Sequence, residues 1–351
     1  MVHASWQIFD TGWPHTLIVV DVVNPDVVWA AGGGFPSPPS AAAPGVPGTV
    51  VRTIDGGLTW PHRRPAGTAH EYRDVEAFSP NHAVVLAPTT SAGHSQIFHT
   101  GDGGTVWITS FDADPSQFWD SMAFFDDQRG LAFSDPPAGG KFPILATDDG
   151  GATWDLVETQ AMSNSASGEA ALATGTSMVA VGPLDAWFGT DNPEGPNARV
   201  FHTQDGGINW TDAATPLHRI PSLSFRDRHH GLAVGGDRIN DVGTVVRTID
   251  GGNHWSAVEM QPSGFRHGVA WIPDLENTAV IVGPTGSDIS DDGGATWTPI
   301  DVDAKRHPFL MGVACQSQDA CWAVGANAGP PGQASRKPGK GGIAAKLTIT
   351  V

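Results

Sequence analysis

The phrase VRTIDGGLTW at Val51–Trp60 returns almost unchanged as VRTIDGGNHW at Val246–Trp255. Looser copies stand between and after them: FHTGDGGTVW (98–107), LATDDGGATW (145–154), FHTQDGGINW (201–210) and DISDDGGATW (288–297). The aspartates that mark the six copies are Asp55, Asp102, Asp149, Asp205, Asp250 and Asp292, spaced by 47, 47, 56, 45 and 42 residues. A period of this size suits one four-stranded propeller blade, so the repeat constrains the fold before any other feature.

Each unit has the same layout. SLSFRDRHHG (222–231) reads as a first strand, GLAVGG (231–236) as a second and GTVVRT (243–248) as a third. An Asp-Gly-Gly turn and a fourth strand opened by Trp follow. Alternating Val and Thr between glycines support strands rather than helices. The 44 Gly and 28 Pro, with only 16% charged residues, fit many short strands joined by tight turns.

A seventh unit is incomplete. GVACQSQDACWAVGANAG (312–329) supplies strands one and two, and GGIAAKLTITV (341–351) supplies strand three. The missing fourth strand is expected from the N-terminus, where Ser5–Asp10 matches the opening of the other fourth strands. Pairing those ends closes the ring and removes a large free edge. The expected fold is therefore all-β: a single seven-bladed β-propeller spanning residues 1–351, with blade 7 completed by residues 5–10. Two Pro/Gly/Ser-rich loops, 31–48 and 326–342, are expected to be mobile, as a lid or as tolerated insertions.

In the turn, Gly supplies the positive φ angles, the Asp carboxylate accepts backbone N–H groups, and Trp fills the gap between sheets. These repeats resemble Asp boxes (BNR repeats) of sialidase-like propellers and of the photosystem II assembly-factor type. The resemblance covers nearly the whole chain and implies the fold. It leaves function open, because such propellers include hydrolases, lyases, receptors and assembly factors. It also departs from a typical sialidase. Arg219-Ile220-Pro221 lies mid-chain rather than near the start, and the single tyrosine, Tyr72, precedes an early blade.

In a propeller the boxes lie on the face opposite the long connecting loops, so a ligand site is expected on the loop face, at the start of each first strand. There the units offer Tyr72-Arg73-Asp74, Phe118-Trp119-Asp120, Gly168-Glu169, Arg219-Ile220-Pro221 and Phe265-Arg266-His267, with His70 and Glu71 just upstream. Leu17-Ile18 and Leu310-Met311 would make one side of the mouth apolar. Asp74, Asp120, Glu169 and His267 are the candidate acid/base groups. Tyr72, Arg73, Trp119, Arg266, His70 and Glu71 are the candidate substrate-binding groups, the arginines as anion holders and Trp119 as a stacking platform. The same residues would otherwise form an ion-pair network that neutralises the channel. Two function classes follow: a carbohydrate-active or other small-molecule enzyme of glycosidase or lyase type, or a non-catalytic assembly-factor-like propeller that grips a protein segment on the same face.

The net charge of −18 argues against nucleic acid and anionic membranes. No run is long enough to span a bilayer as a helix, and MVHASWQIFD has no signal-peptide pattern. No metal-ligand spacing or cofactor motif is present, so neither a metal nor a cofactor is expected, and the expected state is a monomer with a small-molecule or glycan ligand. Cys315 and Cys321, the only cysteines, flank one turn. They are either a disulfide, which would place the chain outside the cytoplasm, or two reduced thiols.

Overall fold

A computed structural model describes residues 3–33, 48–66, 69–90, 93–172, 176–193, 195, 197–300, 308–327 and 341–350. Of residues 69–70 and 89–90 it describes the backbone alone. Most of both Pro/Gly-rich loops, 34–47 and 328–340, lies outside the described residues. The described chain is all-β, and its strands form seven antiparallel sheets arranged as the blades of a propeller. The first strands, which line the axis, are Thr16–Val22, Asp74–Ala77, Trp119–Phe124, Met178–Val181, Ser222–Phe225, Gly268–Trp271 and Phe309–Ser317.

The ring closes as the repeat requires. His3–Asp10 pairs antiparallel with Gly342–Thr350, from His3 opposite Thr350 to Asp10 opposite Ile343. Trp6 is buried at this seam and donates its indole N–H to Ser287 Oγ at 2.7 Å, tying blade 7 to blade 6. Among the described residues the outermost position of blade 1 holds only a bridge between Val51 and His62, where Pro61 contributes no N–H to a ladder.

The six boxes share one hydrogen-bond pattern. A Thr or Ser two residues before the Asp (Thr53, Thr100, Thr147, Thr203, Thr248, Ser290) donates its hydroxyl to the Asp carboxylate at 2.7–3.0 Å. The same oxygen accepts the N–H of the second glycine at 2.9–3.0 Å. Both glycines hold positive φ, for example 68° at Gly56 and 91° at Gly57. The second glycine has another reason to lack a side chain, because it lies against the preceding blade. A Cβ on Gly57 would stand 2.7 Å from Trp322, one on Gly151 2.6 Å from Val84, and one on Gly294 2.6 Å from Leu232. The box is thus both a turn and an inter-blade contact.

The core follows the same geometry. Among the described residues, the buried side chains fall into seven clusters, each built from two neighbouring blades. The exposed inner edges of the first strands are stitched by side chains of the blade before. Asp21 accepts Ala77 N–H at 2.6 Å, Asp74 accepts Met122 N–H at 2.8 Å, and Ser222 accepts Val269 N–H at 3.2 Å. These bonds satisfy backbone groups that have no partner strand across the axis.

Candidate functional site

The phase of each first strand sorts the predicted residues. In blades 1, 3 and 7 the pairing of strands one and two shifts by one residue, leaving Ile18, Asp120 and Met311 as the extra residue. Arg73 and His267 hold the matching place just before the first strands of blades 2 and 6, donating N–H to the Leu86 and Val282 carbonyls at 3.0 and 2.7 Å. An extra residue of this kind re-aims its side chain. Arg73, Asp120 and His267 therefore belong to one ring at the loop-face end of the axis.

Their electrostatics agree with that placement. Burial drives His267 down to about 3; its bond to the Met311 carbonyl (3.1 Å) opposes this, and the charges of Arg238, Arg73 and Arg219 add to it. Burial, then the charge of Asp135, holds Asp120 well above the usual carboxylate range, against the pull of Arg73. Asp120 is buried, and its Oδ2 meets no hydrogen-bond donor among the described residues. Arg73 is ion-paired with Glu71 at 2.6 Å, and Arg219 reaches Asp191 at 2.8 Å while its side chain stays 45% exposed.

The other predicted residues are out of phase with this ring and are used internally. Arg266 is 1% exposed and bonded to Asp288 at 2.6 Å, so it holds no ligand anion. Trp119 is fully buried between blades 2 and 3 and offers no face for stacking. Tyr72 is equally buried, in the cluster between blades 1 and 2. The side chain of His70 lies outside the described residues. Ile18, Leu310 and Met311 are buried and expose no apolar wall at the mouth.

Glu169 does not begin a first strand. Blade 4 starts at Met178, and the wide 56-residue spacing between boxes is taken up in the link that precedes it. In that link Glu169 accepts hydrogen bonds from Arg199 at 2.5 and 3.0 Å, Thr190 at 2.8 Å and Ala166 N–H at 2.8 Å. Burial alone would raise it, but Arg199 and these donors bring it below the usual range. Asp74 faces the other way from Arg73, toward blade 3, where Ser121 and Met122 donate to it at 2.6 and 2.8 Å.

A cavity of about 550 Å³ occupies the axis at the box face rather than the loop face. Its walls are first strands, and its mouth includes the turn residues Arg226, Asp227, Asp274 and Glu276. Three acids line its interior: Asp21, Asp74 and Glu76. Burial raises Asp21 to about 6 and Asp74 to about 7 against their hydrogen bonds. Burial, with the charges of Asp21 and Asp74, raises Glu76 well above its usual range. Asp21 and Glu76 were missed in the sequence, although both interrupt apolar strands, as IVVDVV and DVEAF. The partners Arg199 and Asp288 had no comparable signal, because only the fold brings them to Glu169 and Arg266.

Cys315 and Cys321 are register partners in the first hairpin of blade 7, with Cα atoms 4.0 Å apart, and are joined as a disulfide. Among the described residues no group of His, Cys, Asp and Glu is placed to hold a metal ion, and no helix is long and apolar enough to cross a membrane.

No family model matches this chain, and no curated protein matches it in sequence. Solved structures match it in fold. A structure of YCF48 bound to D1 peptide is 16% identical with a TM-score of 0.64, covering 98% of this chain and 94% of that one. The GH74 enzyme of Niastella koreensis is 14% identical with a TM-score of 0.58, covering 88% of this chain. The GH74 xyloglucanase of Xanthomonas campestris is 11% identical with a TM-score of 0.58, covering 92% of it. The chain spans about half the length of each GH74 protein, 50% and 52%.

Proposed function

We propose that this propeller is a non-catalytic binding module that takes a protein segment across its loop face, holding an acidic group of that segment at the axial ring. The observation that carries this is the meeting of Arg73, Asp120 and His267 at one ring position, with Arg219 and Arg238 near enough for their charges to act on His267. In a chain of net charge −18 this cluster of arginines, with Arg73 shared with Glu71 and Arg219 with Asp191, would select an acidic group against a repelling background. Arg73 and Arg219 would receive the carboxylate, and Asp120, biased to its neutral form, would donate a hydrogen bond from Oδ2.

Glycoside hydrolysis by acid/base chemistry needs two available carboxylates across a cleft. Of the three candidate carboxylates, Glu169 is saturated by Arg199 and its other donors, and Asp74 is bonded to blade 3, which leaves Asp120 alone at the loop face. A propeller of matching extent, YCF48, has been solved with a peptide, which supports the same mode of use here. The test is fluorescence anisotropy with acidic peptides, in free-acid and amidated forms, at low and high salt. Binding should weaken at least about tenfold in Arg219→Ala and fall with salt. Equal binding by Arg219→Ala, or release of reducing sugar from a glucan by the wild type but not by Asp120→Asn, would overturn the proposal.

A further inference from the structure

The cavity at the box face is separate from the loop-face ring, shares none of Arg73, Asp120, Arg219 or His267, and has a chemistry of its own. Its apolar wall comes from Val20, Val75, Val179, Leu223, Val269 and Val313. At about 550 Å³ it falls within the range that accepts a small molecule. The acids within it are not equivalent. Asp21 is occupied by Val22 and Ala77 N–H groups at 2.8 and 2.6 Å, and Asp74 by Ser121 Oγ and the N–H groups of Met122 and Val75. Glu76 has no hydrogen-bond or ion-pair partner among the described residues, and the charges of Asp21 and Asp74 add to its burial in disfavouring the ionised form.

Among the described residues no cation is paired with any of the three. Arg226, at the mouth, is turned to Asp227 at 3.2 Å, the Glu276 carbonyl at 2.5 Å and Asn277 at 2.7 Å, and lies over the Trp271 ring at 5.2 Å. The remaining charged groups of the lining, Asp227, Asp274 and Glu276, are acidic. Two observations thus meet in one place: a cavity of ligand size with an apolar stretch in its wall, and an unpartnered carboxylate in a lining whose one arginine, Arg226, is turned to Asp227, the Glu276 carbonyl and Asn277. An inorganic cation fits poorly, because the oxygens of Asp21 and Asp74 are already taken and no described group converges as a metal site.

We propose that the box-face cavity binds a small organic amine, its ammonium on the Glu76 carboxylate and its apolar body against the valine and leucine wall. Asp21 and Asp74 contribute the negative field that favours the cation. Burial and the charges of Asp21 and Asp74 favour the protonated form of Glu76, so the ammonium competes with a proton there and affinity rises with pH until the amine itself loses its charge.

Isothermal titration calorimetry with octylamine, 1-octanol and octanoate as probes tests this. Octylamine should bind the wild type at pH 8 at least ten-fold more tightly than either other probe, and more weakly at pH 6. Glu76→Gln should lose at least ten-fold for octylamine and leave 1-octanol unchanged. Val179→Phe, which narrows the cavity without touching an acid, should weaken octylamine as well. It serves as the second variant if Glu76→Gln does not fold. Arg219→Ala should bind octylamine as the wild type does, which separates this site from the loop-face one. Equal binding of octylamine and 1-octanol, or octylamine affinity unchanged by both Glu76→Gln and Val179→Phe, would overturn the proposal.

Discussion

Arg266 was expected to face a ligand and instead neutralises Asp288, both almost fully buried. A buried pair of this kind does little for stability as a whole, but loss of one member strands the other charge. Arg266→Met should therefore destabilise by about 3–5 kcal/mol in urea unfolding, and Arg266→Met/Asp288→Leu should recover most of it. His267 gives a pH signature. Its folded-state value of about 3 lies below that of the unfolded chain, so its contribution is present above the unfolded value and lost as pH falls toward 3. Between pH 7 and 4.5 the wild type should lose about 2–3 kcal/mol from this site that His267→Gln does not lose, measured as the difference between their unfolding curves. Arg73, Asp120 and His267 were legible as polar residues interrupting strand starts. Arg266 looked the same in sequence, and one residue of strand phase separates it from them.

The box shows how an element can be read correctly and still incompletely. Asp, two glycines and Trp were assigned their turn roles from the repeat. The Thr or Ser two residues before the Asp was not, although it stands in all six copies. It links the Asp to the second glycine, so Thr248→Val should leave Gly252 N–H without its acceptor and cost about 1–3 kcal/mol in thermal or urea unfolding. The surroundings of the first glycine vary from box to box: a Cβ on Gly103 would meet the Arg52 guanidinium and one on Gly251 the Arg228 carbonyl, whereas Gly293 is open. A Cβ on Gly293 meets only Asn277 Oδ1 at 3.9 Å, so Gly293→Ala should cost about 1–2 kcal/mol, the strain of positive φ alone. On Gly57 a Cβ collides with the rigid, buried Trp322 ring, so Gly57→Ala should cost about 1–3 kcal/mol more than Gly293→Ala in the same unfolding assay.

The molecule has no single centre of stability, since each described core cluster joins two neighbouring blades around the ring. Its weak point is the seam, where one strand from each end of the chain must meet. Removing residues 1–10 takes away Trp6 and exposes the edge of Gly342–Thr350; calorimetry should show a lower, broader transition, and light scattering should show self-association through that edge. Ring architecture, blade number and seam were all readable in the chain, because they follow from a period and from one missing strand, and both are properties of linear order. The location of the large axial cavity was not. The loop face was the expected place for a pocket, whereas the cavity opens at the box face, walled by residues such as Asp21, Glu76 and Val269 that come from different blades. Which acids are spent on Arg199, on Ser121 or on nothing depends on strand phase and on contacts between residues tens to hundreds of positions apart. Those are distances in space that no local pattern of letters encodes.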